Sequence, residues 1–254
     1  MKNCGLCLQP AQLVKSHIIA KSLMFLDEAP DKPLVVLSNV ANAQPVSRSP
    51  AGVWSRILCS SCEDSFKSDD DFLLRFVQEM KSAPTTANGA ATDLSGFDLE
   101  KLRRAILSVL FRAHLSDHEI FHKVDIGTTH YESLRTFLLA RFGDCPSVFA
   151  VFLRHLPMTM GRALFDPFPE KWGGVRAYRL YLPYVTAMIK VDQRTMPHPW
   201  PRFALVTGNQ KQAIRAKAFS PSESKVASLL SNDANAERIE RIFGRAKAGD
   251  SPIS

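Results

Sequence analysis

The chain has 254 residues, 45% of them apolar and 22% charged, with a formal net charge of +7 and a pI near 9.3. That composition excludes a wholly disordered chain, and no apolar run reaches the roughly 18 residues that a membrane-spanning helix needs. The positive charge favours an anionic partner and is uneven: residues 1–100 carry 9 basic against 12 acidic residues, residues 101–254 carry 23 against 13.

The first residues, Met1-Lys2-Asn3-Cys4, lack a secretory signal pattern, so a cytoplasmic location is expected. Residues 11–19 are rich in β-branched and apolar types and predict a short strand. Residues 28–53 read as a loop holding one short strand, Leu34 to Leu37. Ser60 or Ser61 is a good N-cap, and Glu63 and Asp64 suit the first turn of the helix that follows. Phe72, Leu73, Phe76 and Val77 continue it at helical spacing. Residues 82–97 are small, polar and nearly uncharged, which is linker composition. Leu99, Leu102, Ile106, Val109, Leu110 and Ala113 predict a helix over 98–115. Another is predicted over about 130–142.

After Pro146 the pattern turns to strands, at Val148–Leu153, Val175–Leu182, Val185–Val191 and Phe203–Val206. A tail helix is expected from Ala234 to Ala246. Helices followed by strands suggest an α+β fold with an antiparallel sheet. The expected organisation is a metal-binding finger over 1–81, a linker over 82–97, a basic α+β domain over 98–218 and a tail over 219–254.

Four of the five cysteines form two pairs, Cys4-x-x-Cys7 and Cys59-x-x-Cys62. In a reducing compartment such pairs point to metal before disulfide, and four soft thiolates suit tetrahedral Zn²⁺. The long gap between the pairs is tolerable, because loop-closure entropy grows slowly with length. A structural zinc would also staple a segment too small for a core of its own.

Cys4-x-x-Cys7, then Ser16-His17-Ile18-Ile19 ten residues on, then Leu58-Cys59-x-x-Cys62-Glu63, resembles the four-cysteine form of the HNH endonuclease family. The resemblance covers residues 1–80. It implies a treble-clef (ββα-metal) finger with a structural zinc on Cys4, Cys7, Cys59 and Cys62. It further implies His17 as the base that activates water against a phosphodiester, a task suited to an imidazole's near-neutral pKa. Ser16 and Glu63 stand at the two positions that hold a catalytic Mg²⁺ or Mn²⁺ in the family. Glutamate is a hard oxygen donor, whereas serine is a weaker ligand than the family's usual Asp or His. Trp54 falls near the family's middle Asn, so that role is lost, and Asp64 or the Asp69-Asp70-Asp71 run could assist instead. That acidic run also fits a solvated helix face.

Arg103, Arg104 and Arg112 fall on or beside the polar side of the second helix. Arg176 and Arg179 flank tyrosines on a strand. Arg103, Arg104, Arg176 and Arg179 are therefore candidate phosphate contacts, although the strand pair also suits the outer face of an ordinary sheet. His114, His118 and His122 recur at helical spacing, but Ser116-Asp117 looks like a new cap, which makes surface histidines the better reading. Cys145 reads as inert packing. Two functions follow. One is an HNH-like nuclease, suited by family to a phage, mobile-element or defence setting. The other is an inactive zinc finger that binds nucleic acid or a protein partner, alone or within a larger complex.

Overall fold

The structure is a computed structural model describing residues 2–24, 26, 34–37, 46–48, 52–83, 91–94, 96–140, 143–155, 163–198, 200–206 and 213–215. β1 (Lys2–Asn3) pairs antiparallel with β2 (Pro10–Ala11), closing a tight loop around Cys4 and Cys7. The positive φ of 62° at Leu8 helps to turn this loop. β3 (Leu13–His17) leads into α1 (Lys21–Met24), followed by β4 (Leu34–Leu37) and β5 (Val46–Arg48). β6 (Trp54–Cys59) returns antiparallel to β3 and runs straight into α2 (Ser60–Ser82). An interruption in the register between Val14 and Lys15 bends this hairpin.

β7 (Ala91–Asp93) precedes α3 (Leu99–Leu115). The carboxylate of Asp98 caps α3 by accepting from the Lys101 amide at 3.0 Å. Every residue of α3 from Leu102 to Ala113 is buried, so this helix lies at the centre of the molecule. α4 (Thr128–Ala140) packs beside it. The chain then forms β8 (Phe149–His155), β9 (Ala163–Phe165), β10 (Phe168–Trp172), β11 (Val175–Leu182), β12 (Val185–Val191) and β13 (Ala213–Arg215).

β10, β11, β12 and β8 make one antiparallel sheet in that order. β4 pairs with β5 and, in parallel, with β9; β13 pairs with β7. One face of the large sheet, including Tyr178, Leu180, Leu182, Val185, Ala187 and Ile189, joins a core that begins at Cys4 and runs through α2, α3 and α4. The other face carries a smaller cluster of Phe152, Ala177, Met188 and Met196, with Trp172 and Trp200 packed against it. The molecule is thus mixed helix and antiparallel sheet, as the sequence suggests. Among the described residues no helix is long and apolar enough to cross a membrane.

Several local expectations are corrected. α2 continues to Ser82, because no proline interrupts it before position 84. The strand expected at 203–206 is a 3-10 turn over Trp200–Phe203, a single bridge from Ala204 to Phe152 and one bond from the Leu205 amide to the Val151 carbonyl; the prolines just before it favour the turn over a longer ladder. β6 and β10 are additional strands, and β7 lies inside the expected linker. α2 and α3, on either side of that segment, share the one core. The tail helix expected at Ala234 to Ala246 lies outside the described residues.

Candidate metal centre and the Ser16–Glu63 pocket

The β1–β2 loop presents Cys4 and Cys7, the end of β6 presents Cys59, and the first turn of α2 presents Cys62. Their four Sγ atoms all lie within 4.8 Å of one another. Cys7 and Cys59 approach to 3.9 Å as free thiols. Zinc–sulfur bonds of about 2.3 Å in a tetrahedron place sulfurs roughly 3.8 Å apart, so the cluster fits one zinc ion. The Cys59 amide donates to Cys4 Sγ at 3.3 Å. The Ser61 hydroxyl, 3.4 Å from Cys59 Sγ, is the main cause that draws the Cys59 thiol down to about 6. Burial pushes the Cys62 thiol up instead. A bound cation would hold all four as thiolates.

The rest of the molecule grips the first cysteine loop. Tyr131 on α4 donates to the Gly5 carbonyl at 2.7 Å, and Arg135 donates to that of Leu6 at 3.1 Å. Gly5 has no side chain to spare: a Cβ there would stand 2.6 Å from Leu115 Cδ1.

Residues 16, 17 and 63, chosen from the sequence, are brought together. In the β3–β6 hairpin Ser16 stands opposite Ser55, and His17 opposite Trp54. Glu63 follows Cys62 in the first turn of α2, beside the end of β3. Burial pushes the Glu63 carboxyl above its ordinary range, against the pull of the Ser16 hydroxyl, the Arg112 guanidinium and the His17 backbone amide. Glu63 therefore meets His17 through the backbone. Ser16 is wholly buried, and Ser16 Oγ and Glu63 Oε2 each lack a partner of ordinary hydrogen-bond geometry. Two buried oxygens without completed bonds, side by side, are costly unless something else meets them. Gly52, at φ +80°, lies beside the ring of His17: a Cβ there would stand 3.6 Å from Cδ2 and 3.9 Å from Nε2, in ordinary contact.

A fully buried arginine on α3 reaches the same residues. Arg112 Nη1 donates to the His17 carbonyl at 2.8 Å and to Asp70 Oδ2 at 3.0 Å. Its Nη2 donates to Asp70 Oδ1 at 2.5 Å. Two turns earlier on α3, Arg104 pairs with Asp69 at 3.1 Å and donates to the carbonyls of Phe137 and Leu138 near the end of α4. The expectation of a solvated acidic run is corrected: Asp69 and Asp70 are internal partners of arginines, and Asp71 alone of the three is exposed.

The arginines read as phosphate contacts are placed differently. Arg103 and Arg104 are each 8% exposed and Arg179 is 4% exposed. Arg103 donates to the Leu205 carbonyl at 3.4 Å, and Arg179 grips Glu170 through two bonds of 2.8 Å. Arg176, half-buried, donates to the Tyr178 hydroxyl at 2.6 Å and to the Asp125 carbonyl. Arg103, Arg104 and Arg179 are thus held on internal partners, whereas Arg176 keeps part of its side chain in solvent. The histidine series is broken where α3 ends at Leu115, and His118 caps the following turn. His114 is half-buried against Val124 rather than on the surface. Burial raises the Cys145 thiol to about 11, in keeping with inert packing.

Comparison of the chain with protein-family models, with curated proteins and with solved structures finds no match. The functional reading rests on the residues themselves.

Proposed function

We propose that this chain is a metal-dependent phosphodiesterase acting on nucleic acid through an HNH-like finger of the treble-clef kind. The hairpin β3–β6 followed at once by α2, with cysteine pairs at the two ends, supports the finger. The observation that carries the activity is the convergence of Ser16 and Glu63, each with a buried oxygen lacking a completed bond. In this reading those two oxygens hold a hard divalent ion, which supplies Lewis-acid stabilisation of a phosphoryl oxygen. His17, at the open edge beside Gly52, takes the proton from the attacking water. Arg112 fixes the backbone that carries His17, and the zinc cysteines fix the turn that carries Glu63.

The Arg112–Asp70 pair favours a second reading. It places a guanidinium near Glu63 and engages the neighbouring carboxylate, which opposes a divalent cation. The finger would then be a zinc-stapled binding module without cleavage. Incubation of plasmid DNA and a structured RNA with the zinc-loaded protein tests the choice, with Mg²⁺ or Mn²⁺ added or withheld and Glu63→Gln alongside. Cutting that needs both the added ion and Glu63 supports the nuclease. Zinc-loaded protein that cuts neither substrate with either ion leaves the binding module.

A further inference from the structure

We infer that the outer face of the β3–β6 hairpin, built from Lys15, Trp54 and Arg56, is the surface that docks duplex DNA. The inference rests on the nucleic-acid reading above and names the grip of that same site. Alternation along the two strands turns Ser16 and Ser55 inward, where both are buried, and turns Lys15 and Arg56 outward, where both are exposed. These two cations are register partners on adjacent strands. Neither strand contains a carboxylate, and neither cation forms an ion pair with a described residue. Lys15 lies over the Trp54 ring, 4.5 Å from its centroid, and Arg56 is braced on the Leu13 carbonyl at 3.2 Å. Both heads are thus oriented, and no carboxylate among the described residues neutralises them. His17 stands opposite Trp54 at the edge of this face, so a phosphate backbone held there lies next to the proposed base.

The contrast with the rest of the chain strengthens the assignment. Arg103, Arg104, Arg112 and Arg179 are buried on internal partners, so the net positive charge of the second half does not act through them. Duplex DNA fits the face better than other nucleic acids do. A two-stranded ribbon enters the major groove of B-form DNA, whereas the deep, narrow major groove of A-form RNA rejects it. Lys15 covers the Trp54 ring, which removes an open platform of the kind that single strands stack on.

The test is fluorescence anisotropy on a labelled 20-base-pair DNA duplex, using the full zinc-loaded chain without Mg²⁺ or Mn²⁺, over a series of salt concentrations. Lys15→Gln/Arg56→Gln is compared with wild type and with Lys171→Gln, an exposed cation on β10. The double variant is expected to weaken binding tenfold or more at low salt. The slope of log K against log salt should become shallower by about 2, since each phosphate contact contributes about 0.9. Zinc content should be unchanged, which shows that the finger is intact. Wild type that binds the duplex while the double variant binds equally well overturns this surface and leaves the nucleic-acid reading standing, as does an equal loss in Lys171→Gln. Equal affinity for a single strand of the same length, or for duplex RNA, overturns the choice of duplex DNA. Wild type that binds no nucleic acid overturns both.

Discussion

Arg112 reaches from the central helix to the carbonyl oxygen of His17, 2.8 Å away, and holds Asp70 of α2 with both terminal nitrogens. One buried guanidinium therefore joins the hairpin, the helix after the second cysteine pair and the core helix of the molecule. It ties the β3–β6 hairpin and α2 into the same core as α3. The cysteines set the position of Glu63, Arg112 sets that of His17, and the two residues meet where the end of β3 packs on the first turn of α2.

Breaking this junction is expected to be expensive. Removing one partner of a buried ion pair typically costs about 3–5 kcal/mol, because the other charge is left uncompensated. Arg112→Met should lose that much in urea unfolding, and Arg112→Met with Asp70→Leu should regain most of it. A double variant no more stable than the single would show that Asp70 is not the partner that matters.

The four-cysteine cluster is expected to bind one zinc per chain. Structural zinc sites contribute on the order of 10 kcal/mol of binding free energy, comparable with the whole stability of a domain. Cys62→Ser should therefore lose the metal and unfold residues 1–81. Thiol counting offers a direct check. With zinc bound, no thiol should react quickly at neutral pH, since Cys145 is raised to about 11. After chelation four should react. Fast labelling of the metal-loaded protein would refute the assignment.

Gly52 is expected to resist substitution. Its φ of +80° disfavours any side chain, and a Cβ would stand 2.6 Å from Met24 Cε. Left-handed backbone alone costs an L-residue roughly 1–2 kcal/mol. Gly52→Ala should lower stability by at least that amount, measured as a fall in the urea midpoint, and any activity should fall with it because the added methyl faces the His17 ring.

Asp69 gives a pH signature. Its burial outweighs the attraction of Arg104 and pushes the carboxyl above its ordinary value. The folded chain therefore holds this proton more tightly than the unfolded chain does. The associated stability is complete below the ordinary aspartate pKa and declines as pH rises towards the raised folded value. Asp69→Asn, which matches the protonated side chain at every pH, should lack that decline and gain on wild type as pH rises. Parallel pH profiles for wild type and variant would show that Asp69 titrates alike in both states.

The parts of this arrangement that were legible in the sequence are those fixed by short spacing. Each CxxC pair and Glu63 directly after Cys62 span only a few residues, so local geometry determines where they go, and Ser16-His17 follows on the short β3 that leaves the first cysteine loop. Arg112, Asp70 and Asp69 were not legible as partners. Helical periodicity separates an apolar face from a polar one and assumes that the polar one is wet. α3 is covered on every side, so its polar residues had to find internal counter-charges from α2, 35 and 42 residues away in sequence. The same burial withdraws Arg103, Arg104 and Arg179 from any surface role. β6 is hard to read from sequence because Trp54–Cys59 is short and follows the Ser-Pro-Ala-Gly turn sequence, yet its register turns Ser55 inward opposite Ser16 and sets Trp54 opposite His17.

Single-turnover cleavage of duplex DNA by zinc-loaded wild type and His17→Ala, each with saturating Mn²⁺, tests the central claim most directly. The account expects cutting by wild type and a loss of at least a hundredfold in His17→Ala, the usual contribution of a positioned base being about 10²–10⁴, with zinc content and unfolding midpoint unchanged. Equal cutting by the two proteins, or none by a wild type that carries its zinc, would contradict it.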